Sequence, residues 1–193
     1  IFPFPEAQEM IDKMSLGAEK TIFNIPRIGK SKTGFADTQY ETVVIEFEKD
    51  LSKTRAHAIE QLEEYFLGNW KSGNEYNFTL IISDCTTWEV YAPSYIDLMY
   101  LNSTDQPKLN LKMQSSFVLQ ESNFEDFYYY LDRYLFRKEN QIPTLENFKN
   151  DFGDTSEVFL SCIYLLQRQY DSAKDNSSVR NAYEQWQQFL SIA

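Results

Sequence analysis

The sequence is poor in the residues that build several common kinds of site. Its 193 residues include one histidine, His57, and two cysteines, Cys85 and Cys162, which form no C-x-x-C pair. A zinc centre built from closely spaced Cys and His ligands is therefore nearly excluded. Two isolated thiols are typical of a cytoplasmic protein rather than a disulfide-stabilised secreted one. We expect His57 to occupy an ordinary helix position.

Long apolar runs and a secretory leader are also missing. No apolar stretch reaches the roughly 18 residues that a membrane-spanning helix requires, so we expect no membrane partner. The first residues carry neither a positively charged region nor a cleavage site, so we expect no signal peptide and a cytoplasmic location. Because the chain lacks an initiator Met and ends in an amphipathic pattern without a clear stop, we expect a piece of a longer polypeptide.

Positive charge is scarce, because 18 Lys and Arg stand against 29 Asp and Glu, for a formal net charge of −11. Nucleic-acid-binding domains usually carry a basic face, so this balance argues against a general nucleic-acid binder. The distribution is uneven, however. Segment 20–34 contains no acid and four basic residues, namely Lys20, Arg27, Lys30 and Lys32. It runs directly into Asp37, and we expect it to face nucleic acid.

Apolar residues make up 42% of the chain and are spread along it, which predicts a hydrophobic core. Runs rich in β-branched and aromatic residues predict strands at 42–48, 77–82 and 88–91, with a less certain one within 108–120. Helical spacing predicts helices at 5–16, 52–66, 122–136, 155–170 and 179–191. The third begins with a Ser122/Glu125 capping box, Gly68 is expected to end the second, and 29–34 reads as a polar turn region. The pattern predicts an α/β domain at 1–138 and a helical part at 139–193, with a boundary near 137–143.

Three carboxylates cluster around the first predicted strand. Strand alternation places Glu46 and Glu48 on the face of Val44, and Val43, Ile45 and Phe47 on the other. Asp37 can return to the same place from a neighbouring strand or turn. Buried charges are costly unless they have a partner, and Mg²⁺ prefers oxygen ligands. The spacing therefore points to a divalent-cation site, although acids near strand ends are also common in structural roles.

The same residues resemble the PD-(D/E)xK nuclease superfamily. Residues 34–37, Gly-Phe-Ala-Asp, are similar to the G-x-x-D segment with the first metal-binding acid, and Val43–Glu46 is similar to the strand that ends in the second. In the next helix, Gln61 and Tyr65 resemble the Q-x-x-x-Y motif of several branches. The resemblance implies a restriction-endonuclease-like fold, with a central mixed sheet flanked by helices. It also implies that Gln61 and Tyr65 lie beside the active site and DNA.

Most of the remaining chain resembles the amino-terminal nuclease region of single-chain restriction–modification proteins of the type IIG or type ISP sort. The similar segments are FYYYLDRYLFR (127–137), PTLE (143–146), DFG (151–153) and the closing W-x-x-F-L (186–190). This resemblance implies that 139–193 is a helical carboxy-terminal connector. It would lead to a helicase or methyltransferase part of a larger restriction–modification polypeptide.

One position departs from the family pattern, which has Lys two residues after the second acid where this chain has Glu48. Lys49 is adjacent, but regular alternation sends it to the opposite face unless a β-bulge redirects it. Lys53, near the start of the next helix, is another candidate cation. Glu-x-Glu variants occur in the superfamily, so an active variant and an inactivated site both stay open.

The leading hypothesis is a Mg²⁺-dependent endonuclease domain, with Mn²⁺ as a substitute ion, that hydrolyses phosphodiester bonds of double-stranded DNA. Its chemistry falls to residues in or beside the first strand: Asp37, Glu46 and Glu48 as metal ligands, Lys49 or Lys53 at the attacking water, and Gln61 and Tyr65 as orienting groups. One alternative is a nuclease-like module that no longer cuts and serves in DNA binding or protein docking. Another is a protein-binding α/β domain without divalent-ion binding.

Overall fold

A six-stranded mixed sheet forms the centre of the computed structural model, which describes residues 12, 15, 18–27, 30–75, 78–101, 109–136 and 144–192. The strands lie side by side in chain order: β1 (Ala18–Arg27), β2 (Lys30–Tyr40), β3 (Val43–Phe47), β4 (Thr79–Ser83), β5 (Thr87–Pro93) and β6 (Leu111–Val118). Neighbouring strands are antiparallel except β3 and β4, which are parallel. Since helices flank this sheet, the expected α/β architecture is confirmed.

The helices of the described part are α1 (Leu51–Lys71), α2 (Tyr95–Tyr100), α3 (Phe124–Leu131), α4 (Leu145–Phe152), α5 (Glu157–Ala173) and α6 (Ser177–Ile192). A π-helical turn, Asp132–Phe136, continues α3. Helix α1 is the crossover that two parallel neighbours need. It begins where the side chain of Asp50 accepts a hydrogen bond from the amide of Ser52 at 3.0 Å. None of the helices in the described part is long and apolar enough to cross a membrane.

Alternation along β3 separates two apolar clusters on the two faces of the sheet. Val44 packs with residues of α1, including Leu62 and Phe66, whereas Val43 and Ile45 pack with Leu131 and other residues of α3 and the π-helical turn. The predicted strand and its alternation are therefore confirmed for these positions. Glu46 follows the α1 side, and this places its carboxylate beneath that helix.

Two predictions about 18–71 are wrong. Residues 30–34 are not a flexible turn region but the first part of β2, where they pair with β1. Gly68 does not end α1, which continues to Lys71. A Cβ atom at Gly68 would lie 2.6 Å from Ile22 Cγ2 and 2.7 Å from the carbonyl oxygen of Phe23. Gly68 is thus a point of close approach between α1 and β1 rather than a helix stop.

Other differences lie in the second half of the chain. The Ser122/Glu125 capping box is wrong, because Asn123 precedes the first turn of α3 and its side chain bonds the loop before it, at Gln120 and Val118. Helices α2 and α4 and strand β1 were not predicted. The predicted helix at 5–16, apart from residues 12 and 15, and the boundary at 137–143 lie outside the described residues.

The close approach of α1 and β1 at Gly68 predicts that alanine, although favoured in helices, lowers the stability of the fold at this position. Alanine is favoured over glycine in a helix by about 1 kcal/mol, yet we expect Gly68→Ala to destabilise the fold by about 1–3 kcal/mol through overpacking against β1. Urea unfolding measures the difference. The matched control is the exposed Ala56 of the same helix, where Ala56→Gly should cost about 1 kcal/mol. A Gly68→Ala protein more stable than the parent would contradict the packing of α1 on β1.

Candidate active site

Asp37 and Glu46 lie next to each other on the paired strands β2 and β3. The amide nitrogen of Phe47 donates to Asp37 Oδ2 at 2.8 Å. The amide nitrogen of Asp37 donates a longer bond to Glu46 Oε2 at 3.4 Å. The tight turn at 41–42 therefore brings together two acids that are nine residues apart, and each carboxylate contacts the backbone beside the other.

Helix α1 supplies the polar neighbours of Glu46. Gln61 Nε2 donates to Glu46 Oε1 at 2.9 Å and lies 3.2 Å from the hydroxyl oxygen of Tyr65. That hydroxyl donates to the carbonyl oxygen of Phe35 at 2.6 Å. Because residues four apart share one face of a helix, one turn of α1 holds both Glu46 and strand β2. The structure thus brings together Asp37, Glu46, Gln61 and Tyr65.

Glu46 is buried, with 5% of its surface exposed. No lysine, arginine or histidine side chain among the described residues forms an ion pair with it. Burial raises the pKa of Glu46 to about 7, and the negative charges of Asp37 and then Glu48 raise it as well. Burial, followed by the charge of Glu46, raises the pKa of Tyr65 to about 12. Tyr65 therefore stays a neutral donor, while Glu46 changes charge near neutral pH.

The raised pKa of Glu46 predicts that stability falls as pH rises. Between the ordinary value of 4.5 and about 7, the folded chain keeps a proton that the unfolded chain has lost, so this contribution is complete below pH 4.5 and is lost through pH 7. We expect Glu46→Gln to be more stable than the parent by about 1–2 kcal/mol at pH 8 in EDTA, after allowance for solvent screening, and to differ little at pH 4.5.

Urea unfolding at the two pH values measures this effect. Glu41, an exposed residue of the β2–β3 turn, offers the control Glu41→Gln, which should show no such gain. Equal stability of the parent and Glu46→Gln at pH 8 would contradict an uncompensated buried charge at Glu46.

The three other charged candidates occupy different surroundings. Glu48 is half-buried just after β3, where its amide donates to the carbonyl oxygen of Ser83 at 2.8 Å and its charge reaches Glu46. No bulge interrupts the described pairing of β3 with β4, and Lys49 lies beyond it in an exposed bend. Lys53 pairs with Asp50 at 2.6 Å and is 79% exposed. Neither lysine forms an ion pair with Asp37 or Glu46 within the described residues.

The basic segment 20–34 is only partly free to meet a ligand. Lys20 is exposed on β1, but Lys32 forms an ion pair with Glu64 of α1. The side chains of Arg27 and Lys30 lie outside the described residues. His57 is exposed on α1, in agreement with an ordinary helix position.

Sequence reasoning missed a second charged cluster, formed by Arg55, Glu89 and Tyr91. The Arg55 guanidinium contacts both carboxylate oxygens of the buried Glu89, from Nε at 3.0 and 3.1 Å and from Nη2 at 2.9 Å. Tyr91 donates its hydroxyl proton to Glu89 Oε2 at 2.8 Å. The signal available in the sequence was the spacing of Glu89 and Tyr91, which places an acid and a tyrosine on one face of a strand. Glu89 has its cation, whereas the described neighbours of Glu46 are the amide groups of Asp37 and Gln61 and the carboxylates of Asp37 and Glu48.

The carboxylate oxygens of Asp37 and Glu46 are suitable ligands for a hard cation, but they fill only part of its coordination shell. Carboxylate oxygens are ligands that Mg²⁺ and Mn²⁺ accept, and a buried acid with a neighbouring acid benefits from a positive partner. In the part of the chain that the structure describes, no group of three or more His, Cys, Asp and Glu side chains is arranged to hold a metal ion. Asp37 and Glu46 therefore offer a two-carboxylate site, in which water and substrate oxygens would fill the other positions.

Comparison of the chain with protein-family models, curated proteins and solved structures found no match.

Proposed function

We propose that this chain is a Mg²⁺-dependent DNA endonuclease domain of restriction-endonuclease-like fold, belonging to a larger restriction–modification enzyme. The observation that carries the proposal is the hydrogen bond from Gln61 to Glu46, together with the contact of Gln61 with Tyr65. The motifs implied an acid pair on two strands with a glutamine and a tyrosine beside it, and these four residues lie side by side. A chance similarity of short motifs would not be expected to place these four side chains together.

In this proposal, a bound Mg²⁺ would polarise a phosphate oxygen of DNA and lower the pKa of the attacking water. Asp37 and Glu46 would hold the ion, and Glu48 would add an acceptor or a water contact from the end of β3. Gln61 keeps the Glu46 carboxylate oriented, and Tyr65 fixes Gln61 against β2. The chain's own contribution is thus a pre-positioned pair of carboxylates, which holds the reacting groups in place.

The direct test is cleavage of supercoiled plasmid with Mg²⁺ or Mn²⁺, compared with the same reaction in EDTA. The parent should nick or linearise the plasmid only with the metal, and Asp37→Ala should not. Equal cleavage by the two proteins would contradict the proposal.

A second candidate is a nuclease-like module that no longer cuts and acts in DNA binding or docking. Glu48 supports this second candidate, because it places a negative charge where the PD-(D/E)xK pattern has lysine. Lys53, another candidate cation, is engaged by Asp50. Glu48→Lys separates the two candidates. If the parent is inactive and Glu48→Lys cleaves DNA, the present site is disabled. If the parent cleaves, this second candidate is wrong.

A further inference from the structure

A cavity of about 850 Å³ lies between the sheet, the π-helical turn and helices α4 and α5. Thr42 and Thr79 line it at the end of the sheet where β3 and β4 begin, whereas Glu46 lies towards the other end of β3. Asp37, Glu46, Gln61 and Tyr65 do not line it. The cavity is therefore separate from the acid pair, and its volume falls within the roughly 300–1,000 Å³ of small-molecule sites.

The charges around the cavity balance. Among the described lining residues, Arg133 and Lys149 are cations, and Glu146 and Asp151 are anions. Arg133 is already engaged, since its guanidinium donates to Asp151 and, at 3.1 Å, to Asn147 Oδ1 of α4. Because Arg133 and Asp151 neutralise each other, a phosphate group would meet, among the described lining charges, the opposite charges of Glu146 and Lys149, which give it no net attraction. This balance favours an uncharged ligand.

The other lining groups suit a ring that carries hydroxyl groups. Tyr130 and Tyr134 lie edge to face, with ring centres 5.1 Å apart, and both are half-buried. Burial raises the pKa of Tyr130, so its phenol stays neutral. Asn147 and Asn150 provide amide donors and acceptors, and Ser115, Thr79 and Thr155 provide hydroxyls. Aromatic faces with convergent amide and hydroxyl groups are the usual means of binding a planar base and a sugar.

We propose that this cavity binds a neutral nucleoside, with the base against the tyrosines and the sugar hydroxyls among the amide and hydroxyl side chains. The site goes beyond the proposed nuclease activity and does not depend on it. Because α4 and α5 form one wall and the sheet forms another, a bound nucleoside would join these two helices to the sheet. It would therefore stabilise the whole chain against unfolding.

Calorimetric titration and thermal unfolding of the chain with adenosine and cytidine test this proposal, with AMP as the phosphate-bearing probe. At about one hundred times its dissociation constant, at least one nucleoside should raise the melting temperature by about 5–10 °C. AMP should bind at least about tenfold more weakly than adenosine, because its phosphate would lose hydration without meeting a net positive charge in the cavity. Failure of both nucleosides to bind, or AMP binding as tightly as adenosine, would overturn the proposal.

Substitutions of residues that line the cavity test whether the nucleoside binds there. Tyr134→Ala should weaken it by about tenfold or more, and Val158→Phe, which fills the space from α5, should abolish it. The matched control is Tyr129→Ala, at an exposed tyrosine that does not line the cavity, and it should bind as the parent does. Glu46→Gln should also bind normally. Equal losses in Tyr134→Ala and Tyr129→Ala, or unchanged binding in a folded Val158→Phe, would assign the nucleoside to another place.

Discussion

Glu46→Gln is expected to lower Mg²⁺-dependent DNA cleavage by about 1,000-fold or more. The exchange keeps the size of the side chain beside Gln61, but it removes the charge that would hold the cation. Metal ions supply several kcal/mol of transition-state stabilisation, and each 1.4 kcal/mol is tenfold in rate, so losing the ligand has an effect of this order. Single-turnover cleavage of a labelled duplex measures the change.

Glu41→Gln is the matched control for this effect, since it removes the same charge from the exposed turn between β2 and β3. It should leave cleavage within about twofold of the parent, because surface charges distant from a site have small effects. Glu46→Gln cleaving as fast as Glu41→Gln would show that catalysis does not use the acid pair. Because Glu46→Gln is expected to be at least as stable as the parent at pH 8, its urea unfolding at that pH separates a loss of activity from a loss of folding.

Phe66→Ala is expected to cost about 3–5 kcal/mol of folding free energy, the largest effect we expect on stability. Its side chain, on α1, is fully buried, with its ring centre 5.8 Å from those of both Trp70 and Phe78. Phe124→Ala is the control, since Phe124 is 61% exposed and should change stability by less than about 0.5 kcal/mol. Urea unfolding compares the two, and equal effects would contradict the packing of α1 against the sheet.

The sequence predicted the elements whose local pattern and tertiary surroundings agree. β3 was predicted because its β-branched residues suit a strand, and the structure covers both of its faces. β1 was missed because its polar residues give no alternation, and a register shift between Ile22 and Ile25 interrupts it. Residues 30–34 were misread because Gly, Lys and Ser favour turns locally. Pairing with β1 overrides that preference.

Gly68 and α4 illustrate limits of the same kind. A glycine inside a helical pattern suggests a stop, and the close approach of Ile22 and Phe23 on β1 explains why a glycine stands within α1 instead. Helix α4 is eight residues long, which is short for a periodicity argument, and Leu145, Phe148 and Phe152, although at helical spacing, are exposed. Bonds of Arg133 to Asn147 and Asp151 and the ring contact of Phe152 with Phe159 attach it. Contacts between distant segments are not visible in local periodicity.

The candidate site was predictable in part. Strand alternation places Glu46 on the side of Val44, and the spacing of Gln61 and Tyr65 places them on one helix face. Their hydrogen bonds to Glu46 and to the backbone at Phe35 depend on how α1 crosses the sheet. The pairing of Lys32 with Glu64 likewise depends on how α1 packs on β2, whereas Asp50 and Lys53 are three residues apart and pair locally. The motif resemblance made these residues candidates, and the fold shows which of them contact one another.

The most direct measurement is the position of Mn²⁺ in crystals of the chain soaked at pH 8, where Glu46 is ionised. We expect an anomalous peak between the carboxylates of Asp37 and Glu46, with Gln61 still bonded to Glu46. The same peak should be missing from Asp37→Ala crystals. An ion held only by other acids, or no ion at a site where both carboxylates are well ordered, would contradict the assignment of this pair as a cation site.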